Sequence, residues 1–357
     1  MKKVISMLTA VAMSMGLAAC GGSTTAPSSA PAQSASGSDV SGAASTATPA
    51  PANQVVIKFA NVGADTTAGN KLAVELIPYL EELSGGTMTL EVYPNSALGD
   101  NRVIVEGIQM GTIEMGMPST AVLGGFTSSA LVFDLPFMFK DYDNAEKVLT
   151  SEVGMGILKE LESSNIIGLG WAVNGWRHLT ANDEIRLPEQ MKGKKIRTME
   201  TQMHMDFWNS IGASATPMAF SELYTALQQG VVDCEENPYV TGTGAKLEEV
   251  QKYWIETGHI FDASPIIFSK VAYDKLTDEQ KGWLQEWVDK YIEMDWQRVK
   301  EAEQEIADTL ANNGFNVIVK LSDEEKQSWT ASAQSVYDKY RDQIGADLID
   351  AITEMQQ

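Results

Sequence analysis

From residue 55 onward the chain alternates between strand-like and helix-like hydrophobic patterns. Residues 55–62 and 88–93 predict strands; the second segment places apolar residues at every other position. Between them, residues 69–83 repeat leucine at helical spacing, which predicts one amphipathic helix. Residues 166–173 form a continuous apolar run, typical of a strand covered on both faces.

Two more strands are predicted at residues 194–199 and 316–321, and Asp100 is predicted to cap the helix that follows it. Strands separated by helical patterns indicate an α/β fold.

The longest predicted helix covers residues 277–312 without a proline. A capping box starts at Thr277, and Gly314 follows as a C-terminal signal. At 1.5 Å per residue this helix would be about 54 Å long, which is longer than one small lobe. We therefore expect it to span two lobes; the alternative is two helices that break near Gly282 or Met294.

The N-terminal segment differs from the rest of the chain in composition. Two lysines precede a short apolar stretch that ends in the sequence LAAC, as in a lipoprotein signal peptide. We expect residues 1–19 to be removed and Cys20 to carry lipid, although Cys20 beside an ordinary cleavage site is the alternative. Residues 20–53 are mostly Ser, Ala, Thr, Gly and Pro, which predicts a disordered linker anchored by that lipid to the outer face of the cell membrane or in the periplasm.

Charge and cysteine content exclude several classes of function. The net charge of −22 argues against nucleic acid and anionic lipid as partners. Cys20 and Cys234 are the only cysteines, so a lipidated Cys20 leaves no intramolecular disulfide. The three histidines are far apart in sequence and no nucleophile motif occurs, so we predict no metal site, no cofactor and no catalytic residue.

Two arginines are candidates for ligand recognition. Arg197 lies at the end of a predicted strand, and Arg177 comes just after the one that ends at Val173. Ligands of open α/β folds bind at such ends, and a guanidinium matches a carboxylate in geometry. The alternative is a structural ion pair, for which Asp183 or Glu184 could serve Arg177.

Residues 215–238 supply two further candidates. Pro238 pushes Asn237 into an extended conformation, which holds its amide at a fixed angle. That amide could recognise a ligand or form an Asx turn. Phe220 could pack on a ligand or belong to the core.

At these residues the chain resembles the solute-binding proteins of tripartite ATP-independent periplasmic (TRAP) transporters, the DctP family. The resemblance covers nearly all of residues 55–352. Its motifs, in chain order, are EVYPNSALGDNR, VFDLPFMF, NGWRHLT, MKGKKIRTM, ATPMAFSELYTALQQGVVDCEENP and EVQKYW.

The resemblance implies a two-lobed, periplasmic-binding-protein-like α/β fold with a long lobe-spanning helix. It places residues 54–174 and 263–302 in lobe I, and residues 175–262 and 303–357 in lobe II. No enzymatic activity is implied.

The resemblance also implies a role for each candidate in lobe II. Arg197 would form a bidentate pair with the ligand carboxylate, assisted by Arg177 and Asn237. Phe220 would pack on the ligand.

In lobe I the resemblance implies ligand-specific contacts from Asn101, Arg102, Ser119 and Thr120. Two departures from the family pattern stand out. Cys234 and Glu235 occupy positions where most members have Gly-Gln, and Ser119 stands where the sialic-acid-binding branch has glutamate.

The expected function is that of an extracytoplasmic receptor that delivers a small organic acid to the small and large membrane subunits for ion-gradient-driven uptake. Sugar acids such as hexuronates are favoured because the predicted contacts are mostly polar and uncharged. A C4-dicarboxylate would need a second cation, Arg177 or Arg102. A sialic-acid-like ligand and a sensor accessory protein without a transporter are the alternatives; a hydrolase and an ABC-type sugar receptor are rival classes.

Overall fold

The computed structural model describes residues 54–357. The predicted signal peptide, the linker and the lipidated Cys20 lie outside this range. Within it, no helix is both long enough and apolar enough to cross a bilayer.

The described residues form nine strands in one mixed sheet. Their bounds are β1 (Val55–Ala60), β2 (Met88–Tyr93), β3 (Met115–Gly116), β4 (Ile166–Ala181), β5 (Lys195–Thr198), β6 (Ser214–Pro217), β7 (Cys234–Asn237), β8 (Tyr253–Ser269) and β9 (Val317–Val319).

Thirteen α-helices accompany the strands in this part of the chain. Their bounds are α1 (Ala68–Glu75), α2 (Ile77–Leu83), α3 (Asn101–Met110), α4 (Tyr142–Leu149), α5 (Glu152–Glu160), α6 (Gln202–Ser210), α7 (Leu223–Gln228), α8 (Tyr239–Gly244), α9 (Lys270–Tyr273), α10 (Asp278–Asn312), α11 (Asp323–Ser332), α12 (Gln334–Ile344) and α13 (Ala346–Met355). Six short 3-10 helices lie between them, at Thr120–Gly125, Ser128–Asp134, Leu161–Ser164, Pro188–Met191, Phe220–Glu222 and Leu247–Glu249.

The sheet has two ends joined by two long strands. Its strand order is β2-β1-β3-β8-β4-β7-β5-β6, with β9 beside β8. The long strands β4 and β8 pair antiparallel along most of their length; β8 meets β3 near its carboxyl end, and β4 meets β7 near its own. The end formed by β1 to β3 and the end formed by β5 to β7 are therefore connected within the sheet through β4 and β8.

Helix α10 is continuous and connects separate parts of the core. Its capping box at Thr277 is formed, and Gly314 follows with φ +77°. Trp287, Trp296 and Leu310, several turns apart along the helix, belong to three different hydrophobic clusters. The expected long helix is therefore confirmed, and the break considered near Gly282 or Met294 does not occur.

Two local predictions were wrong. The helix expected over residues 69–83 is two helices, α1 and α2, because Pro78 in the first turn of α2 has no N–H to continue α1. The strand expected to end at Val173 continues as β4 to Ala181. A register shift occurs between Val173 and Gly175, where Gly175 has φ +111°. It allows the strand to continue through the more polar sequence NGWRHLT.

Candidate functional site

A cleft lies where the two ends of the sheet meet the long strands. Its polar lining residues come from the β1 and β2 end, the long strands, the β5 to β7 end and α10; they are Asn61, Thr67, Asn101, Ser119, Asn174, Arg177, Arg197, Asn237, Thr241, Asp262, Ser264 and Asp295.

Arg197 lines this cleft, and its guanidinium is buried and largely unpaired. The side chain is 2% exposed, and its Nε donates to the Met218 carbonyl over 3.0 Å. Its Nη1 has no hydrogen-bond partner among the described residues. Burial lowers the pKa of Arg197 to about 10, against the opposing effect of Glu236, so the group stays charged at neutral pH. A buried cation with free donors is suited to an anionic ligand.

Phe220 and Met218 hold this guanidinium in place. The Arg197 Cζ atom lies 5.9 Å from the centre of the Phe220 ring, within the range of a cation–π contact. Phe220 also lines the cleft. Nε and one face of the guanidinium are therefore held by the protein, whereas Nη1 is left without a partner in residues 54–357.

Arg177 lines the same cleft, but its donors are used by the protein. Its Nε and Nη2 donate to the Glu236 carboxylate over 2.5 and 2.8 Å, and Nη1 donates to Asp262 over 2.9 Å. Nη2 also reaches the Glu236 carbonyl and the Asn237 amide oxygen. Burial opposes the charge, yet Glu236 and Asp262 raise the pKa of Arg177 above its usual value. The ion-pair alternative therefore describes Arg177, with partners other than the expected Asp183 or Glu184.

Glu236 is the centre of a buried polar cluster behind the cleft. Besides Arg177, it contacts His259 Nε2 at 3.0 Å and lies 3.8 Å from His204 Nδ1. Burial opposes ionisation, but Arg177 and His259 hold the pKa of Glu236 well below its usual range. Glu236 is thus a buried carboxylate whose charge is balanced by Arg177.

Asn237 faces the cleft with both ends of its amide engaged. Its Oδ1 accepts from Arg177 over 3.2 Å, and its Nδ2 donates to Glu235 over 2.5 Å. An arginine can only donate and a carboxylate can accept, so these partners fix which way the amide points. The predicted extended backbone is present, since Asn237 ends β7.

Two of the four residues expected from lobe I reach the cleft. Ser119 Oγ donates to Asp262 over 2.6 Å, and the Ser119 N–H donates to the Asn101 side chain over 3.2 Å. Both side chains line the cleft. They also link α3 to the long strand β8, which carries Asp262.

The other two residues expected from lobe I point elsewhere. Arg102 is exposed and pairs with Glu106 one turn along α3, on a different surface from the cleft. Thr120 is fully buried and donates to Asp134 over 3.1 Å. Neither side chain is brought together with Arg197.

Several lining residues were missed by the sequence reasoning. Asn61 directly follows β1 and could have been found by the strand-end rule applied to the two arginines. Asp262 interrupts the apolar sequence HIFDASPIIF, and Asp295 lies on the buried face of α10. A lone acid in an otherwise apolar segment is the signal that could have identified both.

His178 and Cys234 have structural roles. His178 packs against the Tyr239 ring and accepts from the Gly258 N–H, and burial lowers its pKa to about 3. Cys234 is buried, and burial raises the pKa of its thiol. Within residues 54–357 no group of three or more His, Cys, Asp or Glu side chains is arranged to hold a metal ion.

The chain matches a known protein family. The family model for bacterial extracellular solute-binding proteins, family 7 (DctP), matches residues 59–343. The C4-dicarboxylate-binding periplasmic protein DctP of Rhodobacter capsulatus is 33% identical over 305 residues, which are 85% of this chain and 92% of that protein.

Solved structures agree with the family match. A TRAP periplasmic solute-binding protein from Shewanella oneidensis, with bound succinate, is similar with a TM-score of 0.82 at 28% identity, over 85% of this chain and 100% of the other. One from Polaromonas sp. JS666, bound to D-erythronate, has a TM-score of 0.80 at 31% identity, over 84% and 98% of the two chains.

The fold and the cleft define a two-lobed solute-binding protein, a receptor component of a transporter and not an enzyme. The chain belongs to the DctP family of TRAP solute-binding proteins.

Proposed function

We propose that the protein binds a small organic acid through its carboxylate on Arg197 and delivers it to the two membrane subunits of a TRAP transporter for ion-gradient-driven uptake. The observation that carries this proposal is the buried, partly unpaired guanidinium of Arg197 facing the cleft. A bidentate, charge-assisted contact there would contribute about 1.5–3 kcal/mol to binding. Asn237 and Phe220 would complete this end of the ligand site.

Within the organic acids, a sugar acid such as a hexuronate or an aldonate fits the charges of the cleft better than a C4-dicarboxylate. The second cation that a dicarboxylate needs is missing from the described lining, since Arg177 is committed to Glu236 and Asp262 and Arg102 lies outside. Asp295 also lines the cleft and would repel a second ligand carboxylate whenever it is ionised. The uncharged hydroxyl groups of a sugar acid would not be repelled by Asp295.

The reported relatives span both ligand classes. The Rhodobacter protein is named for C4-dicarboxylates and the Shewanella structure holds succinate, whereas the Polaromonas structure holds D-erythronate. Between these two classes, the lining of the cleft supports a sugar acid.

A thermal-shift experiment with matched compounds tests the proposal. D-erythronate and D-glucuronate should raise the melting temperature, and erythritol, which is the C4 polyol without the carboxylate, should not. Equal stabilisation by erythritol would sink the carboxylate hypothesis. Succinate as the strongest stabiliser would move the ligand class to dicarboxylates.

The proposed cellular position follows from the sequence alone. The receptor would be held outside the cytoplasm by lipid on Cys20, with residues 20–53 as a tether. The wild-type protein should then partition with membranes, and Cys20→Ser should release it to the soluble fraction. Mass spectrometry of the purified N-terminus checks the modification, and an unmodified Cys20 in the membrane fraction would contradict it.

A further inference from the structure

Glu235 is a buried carboxyl group in contact with a residue of the ligand cleft. It is fully buried, and its Oε2 accepts from Asn237 Nδ2. Its Oε1 accepts from the Thr180 hydroxyl over 2.7 Å. Glu235 therefore orients the Asn237 amide that lines the cleft, without reaching the cleft itself.

The hydrogen-bond partners of Glu235 can satisfy its side chain in both the ionised and the protonated form. Thr180 Oγ1 also lies 3.4 Å from the side-chain oxygen of Gln251, which is fully buried. If Glu235 Oε1 carries a proton, it donates to Thr180, and the Thr180 hydroxyl donates to Gln251 instead. Oε2 keeps its bond from Asn237, so both charge states are hydrogen-bonded.

The charges near Glu235 come from three strands. Arg177 lies on β4, Arg197 on β5, and Cys234 and Glu236 flank Glu235 on β7. The Cys234 thiol is neutral, and the Arg177 guanidinium is already paired with the carboxylates of Glu236 and of Asp262 on β8. Arg197 is left as the cation that favours ionised Glu235.

We propose that Glu235 takes up a proton from solvent when an acid ligand binds to Arg197, so that it is a positioning residue whose charge state sets the affinity. The ligand carboxylate neutralises Arg197 and leaves an ionised Glu235 without a balancing cation. This inference rests on the proposed function, because it requires a carboxylate at Arg197.

The direction of the pH dependence follows from linkage. Burial already raises the pKa of Glu235 to about 7 in the free protein, with Arg197 acting in the opposite sense. A bound carboxylate removes the Arg197 contribution and raises the pKa further. Affinity is therefore highest below about pH 6.5 and falls as the pH rises through the free-protein pKa.

Isothermal titration with D-erythronate, in two buffers of different ionisation enthalpy, measures the proton directly. In wild type we expect uptake of about half a proton or more near pH 7.5, and about a tenfold rise in Kd between about pH 6.5 and about pH 8.5. Glu235→Gln keeps an acceptor for Asn237 and a donor for Thr180. It should bind without proton uptake, with a Kd that stays within about twofold across that range.

A second variant, Asp295→Asn, distinguishes the two buried carboxyl groups that could take up the proton. Asp295 also lines the cleft, and burial raises its pKa to about 7, so it is the rival source of a proton. This variant should keep the uptake seen in wild type. Uptake that persists in Glu235→Gln, or that disappears in Asp295→Asn, overturns the proposal.

Failure of the proposed function has a different outcome. If D-erythronate gives no heat, the same titration is made with succinate and with D-glucuronate, for which the coupling at Arg197 is predicted to be the same. Binding by none of D-erythronate, succinate and D-glucuronate contradicts both proposals; binding without proton uptake contradicts only the role of Glu235.

Discussion

Two buried arginines line the same cleft but differ in whether a carboxylate of the protein pairs with them. Arg177 is enclosed by Glu236 and Asp262, whereas Arg197 has only the Met218 carbonyl and the Phe220 ring. A buried ion pair is costly to break from one side because the partner charge is left uncompensated. The first guanidinium is therefore held by carboxylates of the protein, and the second keeps a donor for the proposed ligand that is unpartnered within the described part of the chain.

The Arg177→Met variant should be strongly destabilised. Removing the guanidinium leaves Glu236 and Asp262 buried without a counter-charge, which costs about 3–5 kcal/mol of unfolding free energy. Arg197→Met should leave the unfolding free energy unchanged or raise it, because it removes an unpaired buried charge. Urea unfolding of both variants checks this, and equal losses in the two would contradict it.

Sequence reasoning located Arg197 in the cleft, but for two pairs of consecutive residues it could not predict which member lines the cleft. Asn101 and Arg102 are consecutive on α3, and successive helical side chains point about 100° apart, so only one of them reaches the cleft. Ser119 and Thr120 diverge in the same way at the start of a 3-10 helix. The choice depends on helix rotation, which three-dimensional packing sets.

At the scale of elements, the sequence predicted α10 and five of the nine strands of the described residues, but not β8, the longest strand. The helix has local signals at both ends, a capping box and a following glycine. The course of β4 was less predictable because its continuation past Val173 depends on pairing with β8, about ninety residues later in the chain. Pairings between distant segments leave little trace in a local pattern.

Helix α10 carries a buried acid that makes stability depend on pH. Glu303 lies against Gly175 of β4 and accepts from the Tyr142 hydroxyl. Burial raises the pKa of Glu303 to about 8, against the effect of the Tyr142 hydrogen bond. The folded state therefore holds this proton more tightly than the unfolded state does, and stability is lost as the pH rises toward about 8.

Glu303→Gln should flatten the fall in unfolding free energy between about pH 5 and about pH 8, because the amide does not titrate. Urea unfolding at several pH values gives the comparison. Glu293→Gln, on an exposed turn of the same helix, is the matched control and should follow wild type. Parallel curves for Glu303→Gln and wild type would show that Glu303 does not titrate in this range.

At the scale of the whole molecule, the start of α3 is hydrogen-bonded to the short 3-10 helix at Phe220–Glu222. Asp100, before α3, accepts from the Ser221 hydroxyl over 2.9 Å and from the Ser221 N–H over 3.3 Å. Ser221 directly follows Phe220, which packs on Arg197. Asp100 lies in the proposed lobe I (residues 54–174 and 263–302), and Ser221 lies in the proposed lobe II (residues 175–262 and 303–357).

Because this contact forms across the cleft, Ser221→Ala should speed ligand release. The loss of one hydrogen bond of about 1 kcal/mol corresponds to about a fivefold higher dissociation rate. Stopped-flow tryptophan fluorescence with D-erythronate gives the rates, with the exposed Ser214→Ala as the control. An unchanged dissociation rate would mean that the contact does not hold the closed state together.

The central claim is that the Arg197 guanidinium binds the ligand carboxylate, and calorimetric titration of D-erythronate into two arginine variants tests it most directly. Arg197→Met should weaken binding by about 10- to 150-fold, corresponding to the loss of about 1.5–3 kcal/mol. Arg102→Met, which removes an exposed arginine outside the cleft, should leave Kd within about twofold of wild type. Binding that survives in Arg197→Met at wild-type affinity would contradict the account.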